Sequence, residues 1–329
     1  MRFLVLTVML ILAVSAVGQD EGMKMTEKDP VIFVVSVVNE VQLERAYGLV
    51  ESLRTFGGKY KDAPIWVYGI DQLIDQKPVI LKNFPKLGVE IKSVSIPKET
   101  GWYYLAQMVA TAAKAERDAE GKADIIVFLG SDTIVLDEPG EFIIQEGISL
   151  GYRSVMHKNI CPLFSEPLDT YWKKAYEIMK VDESKVFPMI TPADDDTIRP
   201  YFNASCQAVR PEKGLFRIWA ENFSRLCKDS VIKSECEKDQ MKRVFTFQVA
   251  LTGTYLNNLD KDEMYAISGK YNYPIFFKEM FGANKDFHDI TGITTIRYEQ
   301  FFDQPIPGWE KILKGPADRI AWIKDHYVK

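Results

Sequence analysis

The chain has 329 residues, 47% hydrophobic and 26% charged, so it can bury a sizeable core without disulfide or metal staples. Lys and Arg number 41 against 46 Asp and Glu, a formal charge of -5. No basic surplus competes for a phosphate backbone, which disfavours a nucleic-acid partner.

Arg2, the apolar run Phe3 to Val14, and the small residues Ser15, Ala16 and Gly18 have the layout of a secretory signal. Cleavage is expected after Ala16 or Gly18, which makes 1–18 a signal peptide and 19–29 a polar leader ahead of a domain over 30–329. The run is short of the about 20 residues that a membrane span needs, and an uncleaved anchor is the alternative. The mature protein is expected to be secreted or in a secretory lumen, or periplasmic in a bacterium, with no stable span after cleavage.

The β-branched run Val31 to Val38 lacks alternation and predicts a strand covered on both faces. A helix is predicted over Gln42 to Phe56, from Leu43, Tyr47, Val50 and Leu53, with Gly57-Gly58 as its stop. Strands follow at Pro64 to Ile70 and Val89 to Ile96, then an alanine-rich helix from Trp102 to about Glu120, then a buried strand at Ala123 to Leu129. Two βαβ units in succession predict an α/β fold, an open and mostly parallel sheet with helices on both faces. Ligands in such sheets bind beyond the carboxyl ends of the strands, which directs attention to the loops after Val38, Ile70 and Leu129.

Downstream the pattern is less regular. An apolar segment at Ile148 to Val155 precedes a helix near Thr170 to Met179 and a proline-rich loop to Pro200. A strand is predicted at Phe202 to Val209, helices at Leu215 to Leu226 and Met241 to Leu256, and an aromatic-rich region from Tyr271 onward. No linker composition divides the chain, so a single domain is expected. In an oxidising compartment Cys227 and Cys236, separated by the polar stretch KDSVIKSE, are expected to form a local disulfide, whereas Cys161 and Cys206 read as buried thiols.

Four segments carry a resemblance. FLGSDTIVLDEPGEF (Phe128 to Phe142) has a hydrophobic strand ending in a Gly-Ser-Asp turn, and YFNASCQAVRPEKGLFRIW (Tyr201 to Trp219) follows it. FQVAL (Phe247 to Leu251) and KYNYP (Lys270 to Pro274) come later. In this order they resemble the glycogenin-like nucleotide-diphospho-sugar transferases of GT-A fold, with a degenerate Asp-x-Asp motif. The resemblance implies a Rossmann-like sheet and transfer of a hexose from a nucleoside-diphosphate sugar to a carbohydrate or protein hydroxyl. It implies a divalent cation, manganese or magnesium, to neutralise the leaving diphosphate. Asp132 corresponds to the second Asp of the motif and is the expected metal ligand, while Gly130 stands in place of the first. Arg297 and Glu299 stand near the position of the family's late metal-binding histidine, with His288 the nearest alternative, and Phe247 replaces the Asp of an Asp-Gln pair. Asn203 and Gln248 are the expected sugar-orienting, catalytic residues, and Asn39, Asp71, Ser131 and Arg297 the expected nucleotide contacts.

Three readings stay open at this point: metal-assisted transfer through Asp132 and His288, metal-free transfer with Arg297 on the diphosphate, and a non-catalytic sugar- or nucleotide-binding module. Asn39 and Asp71 are equally explained as helix caps, Ser131 as a turn residue, and Gln248 as part of an exposed helix face. The run Asp194-Asp195-Asp196 reads as a solvated loop.

Overall fold

The computed structural model describes residues 28–282, 285–302 and 308–327. The expected signal peptide, 1–18, and most of the leader lie outside the described residues.

The run after Val31 forms β1 (Ile32–Val37), buried nearly throughout, as a strand with parallel neighbours and helices on both faces must be. Asn39 opens α1 (Glu40–Phe56) by accepting from the Gln42 amide, and the helix stops at Gly57. Its buried Leu43, Ala46, Leu49, Val50 and Leu53 recur at helical spacing. β2 (Ile65–Ile70), the short α2 (Asp71–Asp75) and β3 (Val89–Val94) complete one wing. α3 (Ala106–Ala119) then returns the chain to β4 (Ile126–Leu129) on the other side of β1. The helix begins four residues later than its alanine-rich composition suggests, because Leu105 takes a left-handed φ of 57° that cannot continue from a preceding turn.

From β4 the chain turns into β5 (Thr133–Val135), then forms β6 (Leu150–Ser154) and α4 (Thr170–Met179). The proline-rich stretch folds as a short hairpin, β7 (Met189–Ile190) with β8 (Thr197–Ile198). β9 (Phe202–Val209) leads to three helices, α5 (Leu215–Lys228), α6 (Ser230–Lys238) and α7 (Gln240–Asn258). β10 (Met264–Ala266), β11 (Tyr273–Pro274), α8 (Phe277–Phe281), β12 (Thr295–Arg297), α9 (Trp309–Ile312) and α10 (Ala317–Tyr327) follow.

Among the described residues a seven-stranded sheet runs in the order β10-β6-β9-β4-β1-β2-β3. β1 is parallel to β2 and β4, β2 to β3, and β10 to β6, while β9 runs antiparallel between β4 and β6. This is the mostly parallel α/β sheet flanked by helices that the GT-A resemblance implied. Phe33, Leu49, Leu53 and Phe142 pack on one face, and Phe128, Trp172, Phe216 and Trp219 on the other. A smaller sheet, β11-β12-β5, carries a third apolar cluster around Ile134, Phe276, Tyr298 and Trp309. No helix among the described residues is long and apolar enough to cross a membrane.

α5 has only Gly214 at its amino end and draws its cap from another helix. The fully buried carboxylate of Glu116 on α3 accepts from the amides of Phe216 and Arg217 at 2.9 Å each, and from Arg217 Nε at 3.1 Å. Two orphan helix donors and one guanidinium thereby justify one buried charge.

The expected disulfide is a correction. All four cysteines are free and buried. Cys227 ends α5 whereas KDSVIKSE is largely helical, so Cys236 lies on a separate helix, α6, and turns its sulfur to Thr246 Oγ1 at 3.5 Å. Burial pushes both thiols above their ordinary pKa and keeps them protonated.

Candidate functional site

A cavity of about 340 Å³ opens where the carboxyl ends of β1 and β4 meet the amino end of β9. It lies beyond the carboxyl ends of the parallel strands, where such sheets bind ligands. The turn at its base is set by backbone: Gly130 N–H donates to Ser205 O at 3.0 Å and Thr133 N–H to Gly130 O at 3.1 Å. β5 then pairs antiparallel with β12, placing Arg297 opposite Thr133. That register brings the Arg297 guanidinium to the turn.

Arg297 Nε lies 2.8 Å from Asp132 Oδ1, and Nη2 lies 3.3 Å from Glu299 Oε1. The pair is nearly dry, with side-chain exposures of 13% for Arg297 and 7% for Asp132. The second Asp132 oxygen, Oδ2, accepts the Glu299 amide at 3.0 Å. Burial works against the Arg297 charge, but Asp132 and Glu299 outweigh it and raise its pKa, so the guanidinium stays ionised. Burial raises the Glu299 carboxyl above the ordinary glutamate range, Asp132 adds to this, and Arg297 and Arg45 oppose it. Arg45 lines the same cavity with its guanidinium carbon 5.8 Å from the Tyr298 ring centre.

Three amides line the same cavity. Asn203 Oδ1 accepts the Ser205 amide at 2.9 Å, which holds its side chain in place. Gln248 and Asn272 are only 5% and 3% exposed; the Gln248 side chain lies against the buried Tyr201 hydroxyl, and Asn272 Oδ1 has no hydrogen-bond partner among the described residues. One side of the wall is apolar, with Phe245 and Phe247 of α7 and Phe276, Phe277 and Phe281 around α8, while Gln42, Gln107, Asn159 and Gln300 are further polar residues of the lining. His157 sits edge-on to Phe277 and Phe281, and its burial lowers its pKa. Among the described residues seven non-glycine positions have positive φ, and four of them, Leu105, Asn159, Asn272 and Glu299, line this cavity. Backbone strain of this kind concentrates where a binding geometry must be held.

Of the sequence-predicted residues, the fold brings Ser131, Asp132, Asn203, Gln248 and Arg297 together on this cavity. It does not bring three others. Asn39 caps α1. Asp71 accepts from the Ser95 hydroxyl at the start of α2, outside the cavity lining. His288 is buried elsewhere, with Nδ1 2.8 Å from Asp286 and Nε2 2.8 Å from Glu279. Arg45 was not singled out from the sequence, and Asn272 was marked only as part of the KYNYP segment. Arg45 sits one turn after Gln42, a second cavity residue, and this polar pair on the helix following β1 was the available signal.

A divalent cation does not fit this donor set. Both carboxylate oxygens of Asp132 face protein donors, position 130 carries no carboxylate, and His288 is committed to other acids. Among the described residues no three His, Cys, Asp or Glu side chains group as a metal would require. The expectation of manganese or magnesium held by Asp132 and His288 is therefore corrected: a guanidinium occupies the Asp132 carboxylate.

Residues 32–254 match the family model of the Rhodobacterales glycosyltransferase domain, and the chain belongs to that family. Among solved structures it is similar to mouse xyloside xylosyltransferase 1 in its apo form, at 11% identity and a TM-score of 0.46, over 84% of this chain and 99% of that one. It is similar to the galactosyltransferase LgtC in complex with donor and acceptor sugar analogs, at 12% identity and a TM-score of 0.49, over 88% of this chain and 95% of that one. The glycosyltransferase GlyE of Streptococcus pneumoniae TIGR4 is similar at 12% identity and a TM-score of 0.43, over 92% of this chain and 61% of that one. No curated protein matches the sequence.

Proposed function

We propose that this domain transfers a hexose from a nucleoside-diphosphate sugar to a hydroxyl of a carbohydrate or protein acceptor, in an exported compartment. The observation that carries the reading is the gathering of the amides Asn203, Gln248 and Asn272 and the Asp132–Arg297 turn on one cavity beyond the strand ends, with Asn272 Oδ1 buried and without a hydrogen-bond partner among the described residues. A buried polar atom without a partner costs about 1–3 kcal/mol, and a sugar presents the hydroxyl donors and acceptors that would remove this cost. Asn203, fixed by its bond to the Ser205 amide, offers its free amide end to the same ligand. In the reaction the bond from the anomeric carbon to the diphosphate oxygen breaks and its electron pair leaves with the diphosphate. The acceptor oxygen bonds to that carbon and releases its proton.

The amino-terminal signal pattern supports the exported location. One observation favours a second reading, a binding module without turnover: Gly130 and the buried Phe247 stand where the resemblance expects two carboxylates. Incubating the mature protein with UDP- and GDP-hexoses and a panel of hydroxyl acceptors, with mass spectrometry of the acceptors, separates the two. A hexose added to any acceptor supports transfer. Retention of intact donor without product supports the module, and no retention of any donor rejects both.

A further inference from the structure

We infer that Arg297 takes the place of a divalent cation, so that this chain holds its donor diphosphate without metal. The inference rests on the nucleotide-sugar reading and adds how that ligand is bound.

The geometry makes Gly130 and Arg297 a matched exchange. A Cβ built on Gly130 would stand 2.8 Å from Asp132 Oδ1 and 3.3 Å from Arg297 Cζ. The space beside position 130 is filled by the Asp132–Arg297 pair, so a side chain there would push that pair apart. The missing first carboxylate and the guanidinium on β12 are two halves of one arrangement.

Charge supports the same conclusion. Where two carboxylates hold a divalent ion, the formal charges cancel before the diphosphate arrives. Here Asp132 and Glu299 face Arg297 and Arg45, and the formal charges cancel again. The cation is already in position: Arg297 is held by ion pairs with Asp132, 2.8 Å from Nε, and Glu299, 3.3 Å from Nη2, and its Nη1 is not used by either contact and can donate to a phosphate oxygen. A braced guanidinium spends no conformational freedom on binding, and its planar fork matches phosphate oxygens. The ion pair also keeps it ionised in a site that is otherwise largely dry.

Calorimetry of the full mature chain with UDP and GDP, in chelator and then in manganese, tests this. The expected result is binding of one nucleotide with the same affinity in both, and no manganese bound to the protein alone by electron paramagnetic resonance. Arg297→Met should weaken that binding about 10- to 100-fold, the range for one charge-assisted hydrogen bond. Arg297→Lys, which keeps the charge and loses the fork, should recover part of it, with affinity read per folded molecule at saturating folding conditions so that a change in stability alone does not move it. Circular dichroism confirms that each variant is folded. If Arg297→Met does not fold, the Lys variant and the chelator comparison decide alone. Binding that appears only with manganese overturns this inference and leaves the nucleotide-sugar reading standing. Absence of nucleotide binding under both conditions overturns both.

Discussion

Replacing Asp132 with Asn separates a metal ligand from a residue that braces a guanidinium. Removing one partner of a buried ion pair costs about 3–5 kcal/mol, because the other charge is left uncompensated. Two features reduce that here. Glu299 still lies 3.3 Å from Arg297 Nη2, and the Asn oxygen can keep the Glu299 amide bond. The expected loss is therefore about 2 kcal/mol, after about 1 kcal/mol or more is retained by these contacts. That corresponds to a melting temperature lower by about 3 °C for a domain of this size. Urea unfolding monitored by circular dichroism gives the free energy, and calorimetry in chelator gives the UDP affinity. The variant should be less stable yet still bind UDP, since it keeps Arg297 and removes a negative charge from beside the diphosphate. Unchanged stability would refute the bracing role, and a complete loss of UDP binding would refute the claim that Asp132 acts through Arg297.

Other outcomes follow from individual side chains. The Glu299 carboxyl is raised by burial, so it takes up a proton above the ordinary glutamate range, and each proton removes a negative charge from the diphosphate site. Affinity for a UDP-hexose, whose diphosphate does not itself titrate there, should rise as pH falls from 7 to about 5. Glu299→Gln should bind more tightly at pH 7 and lose the slope, and a wild-type affinity that falls over the same range contradicts this. Gln248→Met fills the same volume without the amide and leaves the Tyr201 hydroxyl without that contact. Urea unfolding should show a loss of about 1 kcal/mol, UDP affinity should be retained, and kcat/KM for transfer per folded molecule should drop about 10- to 100-fold if one sugar hydrogen bond is lost. Glu116→Ala leaves the amino end of α5 and Arg217 without their buried acceptor. Urea unfolding should show a loss of about 3 kcal/mol with no change in donor affinity per folded molecule.

Much of the sheet was legible because its strands are apolar on both faces. The run at β1 and the segment at β4 can be nowhere but inside, and the spacing of Leu43, Val50 and Leu53 fixes the buried side of α1. The antiparallel insertion of β9 between β4 and β6 was not legible, because strand order depends on pairing across the sheet and not on local pattern. Neither was α6, whose polar sequence hides two buried positions, Ile232 and Cys236. At the site, Asp132, Asn203 and Gln248 were found through strand and helix positions that a motif marks. Asn39, Asp71 and His288 have the right residue types, but each has a local partner that turns it away from the cavity. Arg45 was missed because it lies on a helix face that reads as solvated, while Asn272 was marked only as part of KYNYP, since its place at the cavity rests on a left-handed backbone, φ 54°. The pairing of Arg297 with the turn at Gly130 needed the register of β12 on β5, a contact between residues far apart in the chain.

A crystal structure of the mature chain with a UDP- or GDP-hexose, grown in the presence of a chelator, tests the central claim most directly. The diphosphate is expected against Arg297 and the hexose against Gln248 and Asn272, with no metal ion at Asp132. A nucleotide bound elsewhere, or a cavity left empty at saturating donor while added manganese restores binding at Asp132, would contradict it.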